Sequence, residues 1–117
     1  MIISDRIWDI IEPATARFEG VSRADIERGL LVGDYEIFER GSSVAVTAHF
    51  GSSIRVGLAG GHIDELIEIE RDIYDHAVAH GYENVEIIGR PGWERRLPGY
   101  ERVAVILRKE VQRDGLH

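Results

Sequence analysis

The stretch from Leu58 to Lys109 constrains this chain more than any other, because strand and helix patterns alternate along it. An apolar run ends at Leu58, and Gly60 and Gly61 break it. Apolar residues then recur at helical spacing from about His62 to His80, followed by a short run at Asn84 to Ile88. A loop rich in Gly and Pro spans 89–100, and from Arg102 to Lys109 Val103, Val105 and Leu107 alternate with Ala104, Ile106 and Arg108. Two strands flanking a helix long enough to cross a sheet predict a parallel βαβ unit, since parallel strands need such a crossover.

The preceding residues read as what covers or extends that unit. Ile7, Trp8, Ile11, Ala14 and Phe18 form one apolar stripe, but Pro13 lies within it and removes a helical hydrogen bond. The spacing therefore predicts two short helices, or one that begins near Glu12. Gly20 ends that segment. Ser22 caps the next helix with Asp25 three residues on, Ile26, Leu30 and Leu31 face inward, and Gly33 stops it. Three runs with period-two alternation follow, Tyr35 to Arg40, Val44 to Phe50 and Ile54 to Leu58. The Gly-Ser-Ser links at 41–43 and 51–53 join them as an antiparallel meander. On the long helix, Ile63, Leu66, Ile67, Ile69, Ile73, Tyr74, Ala77 and Val78 share one broad side, and Gly81 ends it.

The expected fold is α+β. A mixed, mostly antiparallel sheet surrounds the central βαβ unit, with two N-terminal helices and one long helix, in a single domain over 1–117. Within it, 1–33 is helical, 34–110 holds the sheet and long helix, and 111–117 is a polar tail. The chain has no cysteine, so packing must hold it without disulfides or thiolate metal sites. No stretch approaches the roughly 20 apolar residues of a membrane span, and Met1 to Arg6 lacks the pattern of a secretory leader. A soluble protein of the cytoplasm, or of a particle assembled there, is expected.

The net charge of -7 disfavours an open nucleic-acid surface. Its distribution is uneven: residues 1–88 carry 7 Arg against 17 acidic residues, and 89–117 carry 7 basic against 4 acidic. A small basic end on an acidic body suggests a protein contact or a self-contact, and a homo-oligomer is among the expected assemblies. The alternative is solvated faces on an ordinary acidic domain.

Several residues invite a chemical reading. Asp72, His76 and His80 recur every four residues, which aligns three metal-ligand types on a helix. His near a helix C-terminus is equally favourable for the helix dipole, and no metal centre is expected. Glu70 falls inside the apolar arc of the long helix, where it needs a partner such as Arg55 or Arg90. Ser42, Ser43, Ser52 and Ser53 have no paired His motif that would make a nucleophile. Arg90, Trp93, Arg95, Arg96 and Tyr100 make an interaction surface, since Trp and Arg anchor interfaces and Pro91 and Pro98 stiffen the loop. Trp93 capping the core is the other reading.

The order helix, helix, three antiparallel strands, long helix, strand, loop, strand resembles the Gcn5-related N-acetyltransferase fold, without its first and final strands. Leu97-Pro98-Gly99-Tyr100 ahead of 103–109 is similar to that family's Leu-Gly-Phe turn and penultimate strand. The loop 89–100, Gly-Arg-Pro-Gly-Trp-Glu-Arg-Arg-Leu-Pro-Gly-Tyr, with the strand after it, also resembles short acetyltransferase-like proteins of tailed phages and prophages. Many such products are regarded as virion or head-associated proteins, not as enzymes. The resemblance implies a coenzyme A pyrophosphate at the turn into the long helix, on Gly60, Gly61 and His62. Here that turn lacks the family's basic residue, and Asp64 and Glu65 in the first helical turn repel a diphosphate. Trp93 and Glu94 stand where the resemblance implies the family's general-acid Tyr, and an indole cannot supply that proton.

The expectation is therefore a non-catalytic structural or assembly component of a tailed-phage or phage-like particle, found in the virion or host cytoplasm. It contacts other virion or assembly proteins and has no cofactor. The alternative is a small N-acetyltransferase that binds acetyl-coenzyme A through Gly60, Gly61 and His62, with Glu70 or Tyr100 in the chemistry. An open splay between the strand ending near Leu58 and the strand Asn84 to Ile88 would keep that alternative alive.

Overall fold

The computed structural model describes residues 2–17, 21–89, 93–103, 107 and 109. Of the two readings that Pro13 left open, two short helices is the one found. The first, α1, is Asp5–Ile11, and the Ser4 side chain caps it by accepting the Ile7 N–H at 3.1 Å. The α-helix stops at Ile11 and the chain tightens into a 3₁₀ segment, Glu12–Arg17, which tolerates proline near its start. Helix α2, Arg23–Val32, has the expected capping box between Ser22 and Asp25 and ends on Gly33 in the left-handed conformation, φ 84°.

Strands β1 (Tyr35–Arg40), β2 (Ser43–Phe50) and β3 (Ser53–Gly60) form the antiparallel meander, joined by two-residue turns at 41–42 and 51–52. Helix α3, Ile63–Ala79, crosses to β4, Asn84–Ile87, which pairs with β3 in parallel. The α+β class, the mixed sheet and the βαβ unit are thus present, with strands in the order β1-β2-β3-β4. Helix α3 ends where Tyr82 N–H bonds Ala77 O and Gly81 N–H bonds Val78 O, a Schellman cap with Gly81 at φ 77°.

The sheet is covered on both faces. Val44 and Val46 point into a core with Ile3, Ile11, Ala14, Ile26, Leu30 and Leu58, while Ala45 points into a second core with Ile54, Val56, Leu66, Ile69, Ile73 and Ala77. Period-two alternation along β2 sends neighbouring residues into different cores. Three inward assignments fail at the edges: Leu31, Tyr74 and Val78 are exposed. A 100° spacing marks an arc, but the width of the sheet decides how much of that arc is covered.

A bulge in β3 opens the sheet. Val46 opposes Leu58 while Thr47 opposes Val56, so Gly57 is an extra residue on β3. Beside it, β4 follows β3 only from Ser53↔Asn84 to Val56↔Ile87, with a last bond from Ile88 N–H to Val56 O at 3.0 Å. Beyond that point Leu58, Ala59 and Gly60 continue along β2 alone among the described residues.

The strand expected from Arg102 to Lys109 is not present among the described residues. Residues 101–103, 107 and 109 belong to no strand, and Val103 and Leu107 are exposed. Alternation describes a side-chain pattern, whereas a strand also needs a partner edge. Phe18, Gly20, Arg90 and the tail 111–117 lie outside the described residues, as does the rest of that strand. A short helix α4, Trp93–Arg96, occupies part of the loop before it.

Candidate functional site

The turn into α3 is packed from within. The buried Ser43 hydroxyl accepts the His62 N–H at 2.8 Å and donates to Glu65 Oε1 at 2.7 Å. Glu65 also accepts the Ser42 N–H at 3.2 Å, tying the β1–β2 turn to the first turn of α3. The glycines answer to this packing. A Cβ on Gly61, which sits at φ 121°, would collide with Ser43, and one on Gly60 would collide with the backbone oxygen of Ile10. Gly60, Gly61 and His62 therefore allow close backbone approach between elements of the chain itself. Glu65 holds the third helical position, where capping carboxylates are common, but it reaches across to another strand. That position was a readable signal. Ser43 as its partner was not, because a hairpin serine has no sequence mark of burial.

Past the bulge a crevice of about 360 Å³ opens at the carboxyl ends of β3 and β4. Ala59, Gly60, Ile87 and Ile88 form its floor, Ile69, Glu70 and Ile73 of α3 one wall, and Trp93 and Leu97 another. Its position follows a general rule for open sheets with parallel strands, whose crevices lie beyond the strand ends. The volume is at the small end of ligand pockets.

Glu70 is the carboxylate on this wall. It is half-buried and accepts a hydrogen bond from the Tyr100 hydroxyl at 3.2 Å. Neither suggested arginine holds it in the described residues. Arg55 pairs instead with Glu86 at 2.9 Å on the opposite face of the sheet, while Arg90 lies outside the described residues. Burial first, and the Glu70 charge second, push the Tyr100 phenol well above its ordinary pKa, so Tyr100 keeps its proton. The pair thus offers one neutral donor and one carboxylate. The sequence placed each separately and brought neither to the other.

On α4, Trp93 is half-buried against the α3-side core and Leu97 is buried, so Trp93 packs while Arg95 and Arg96 face outward. The three residues at metal-ligand spacing on α3 have other partners. Asp72 accepts two bonds from the Arg40 guanidinium, at 2.8 and 2.9 Å, which hold its carboxyl below the usual range. His76 lies 3.4 Å from Glu36, and His80 Nδ1 contacts the His76 carbonyl at 2.9 Å. Among the described residues no group of three or more His, Asp or Glu is arranged to hold a metal. Glu36 also approaches His49, whose other ring nitrogen meets the Tyr82 hydroxyl. This cluster joins β1, β2 and the end of α3, and no motif announced it.

No helix among the described residues is long and apolar enough to cross a membrane. Comparison with known proteins finds no family model, no curated relative and no solved structure that matches the chain.

Proposed function

We propose that this chain is a non-catalytic contact protein on an acetyltransferase-like scaffold, a structural or assembly component of a tailed-phage or phage-like particle. The observation that carries the non-catalytic reading is the Ser43 hydroxyl bonded to both His62 N–H and Glu65. A coenzyme A diphosphate needs the amide donors at the helix start and a site without nearby anions. Here a buried side chain uses the His62 donor, and the Glu65 carboxylate stands beside it. The particle setting rests on the resemblance of the loop 89–100, and the exposed Arg95 and Arg96 suit protein contact.

Isothermal titration of the protein with acetyl-coenzyme A is expected to give no heat of binding. Micromolar binding would overturn the reading.

The crevice favours a second reading, a small N-acetyltransferase with divergent cofactor contacts. Parallel strands that part beyond Val56 and Ile87 leave room beside Glu70 and Tyr100. It predicts the opposite result in that titration, together with acetyl transfer that Glu70→Gln abolishes.

A further inference from the structure

Among the described residues Glu70 is the only charged side chain that lines the crevice. Ile69, Ile73, Ile87, Ile88, Trp93 and Leu97 stand around it, and Ile69, Ile73 and Leu97 are fully buried, so the walls are part of the core. No Lys, Arg or His lines the space among the described residues. Other half-buried carboxylates take a guanidinium from their own fold: Glu86 has Arg55 at 2.9 Å, and Asp72 has Arg40 at 2.8 Å. Glu70 has the Tyr100 hydroxyl at 3.2 Å instead, a donor that stays neutral because burial first and the Glu70 charge second raise its pKa. That bond occupies one carboxylate oxygen and leaves the charge uncancelled.

A carboxylate among apolar walls loses hydration that one neutral donor does not replace, and a cation brought against it offsets that loss. The attraction is stronger there than in bulk water, because the local dielectric is lower. An anion meets the opposite sign and finds no basic side chain to receive it. The apolar walls favour an organic body over a hydrated metal ion, and the Trp93 indole offers a ring face that attracts cations. A space of about 360 Å³ suits a small molecule. We infer that the crevice binds a small organic cation with an apolar body, an arylalkyl ammonium, with Glu70 as its counter-charge and Ile69, Ile73, Ile88, Trp93 and Leu97 around the apolar part. Glu70 acts here as a charge and not as a base, so binding requires neither acetyl-coenzyme A nor a partner protein and goes beyond both readings of function.

Titration of the isotope-labelled full chain, followed by amide and indole NMR shifts, tests it with probes of similar size: phenethylammonium, phenethyl alcohol and phenylacetate. The cation is expected to shift Gly60, Ile88, Leu97 and the Trp93 indole, to bind about tenfold or more tighter than the alcohol, and to leave the anion without detectable binding. Phenethyltrimethylammonium, whose nitrogen cannot be acetylated, should bind as well. Glu70→Gln, with circular dichroism confirming its fold, should weaken the cation about tenfold or more and leave the alcohol unchanged. Should that variant fail to fold, the order of cation, alcohol and anion on wild type still decides. Equal affinity for cation and alcohol, preference for the anion, shifts spread over the acidic surface, binding confined to the primary amine, or a folded Glu70→Gln that keeps wild-type affinity would overturn the inference. Heat with acetyl-coenzyme A would sink the non-catalytic reading alone and leave this site standing.

Discussion

Ser43 donates its hydroxyl proton to Glu65 at 2.7 Å, joining the start of β2 to the first turn of α3 across 22 residues of sequence. The same oxygen accepts the His62 N–H, so one buried serine closes the N-terminus of the helix that spans the sheet. Removing this oxygen leaves the His62 amide without its acceptor and leaves Glu65 with the Ser42 N–H alone of its two donors. Ser43→Ala should therefore cost about 1–3 kcal/mol in urea unfolding, with an unchanged denaturant slope.

Gly61 depends on the same contact. It has φ 121°, and a Cβ would run into Ser43. Gly61→Ala combines backbone strain with overpacking and should destabilise by roughly 2–4 kcal/mol. Gly51, also at positive φ but with open space around it, should lose less on the same change, and chemical denaturation of the two variants compares them directly.

Asp72 makes the stability dependent on acid. Its hydrogen bonds from Arg40 lower the carboxyl pKa in the folded state relative to the unfolded one. A depressed carboxyl contributes stability that is present above the unfolded value of about 4 and is lost as pH falls through the folded value. Unfolding free energy measured from neutral pH downward should fall less steeply for Asp72→Asn than for wild type. Identical slopes would show that the Arg40 pair contributes nothing.

Tyr100 should act at the alkaline end. Its phenol is raised by burial and by Glu70, so its contribution is fully present below the unfolded value of about 10 and is lost as pH rises through the folded value. Absorbance titration of the four tyrosines should show one that ionises late, or only with unfolding, and Tyr100→Phe should remove that phase. Tyr74→Phe, at an exposed position, should leave the late phase in place.

Sequence alone determined the local elements. The Ser22–Asp25 capping box, the stop at Gly33, the hairpin turns and the span of α3 are set by residues a few positions apart, so their signals lie close together in the chain. Even Pro13 marked a real change of helix type: of the two readings it left open, two short helices is the one found, the first started by the Ser4 cap. Tertiary structure alone decided the partners. Glu70 meets Tyr100 across 30 residues, Arg55 takes Glu86, and the Gly57 bulge parts β3 from β4, none of which leaves a periodic trace. A hydrogen bond or salt bridge between distant residues depends on how layers stack and strands register. Those are properties of the whole sheet, and they settle which of the candidate side chains meet.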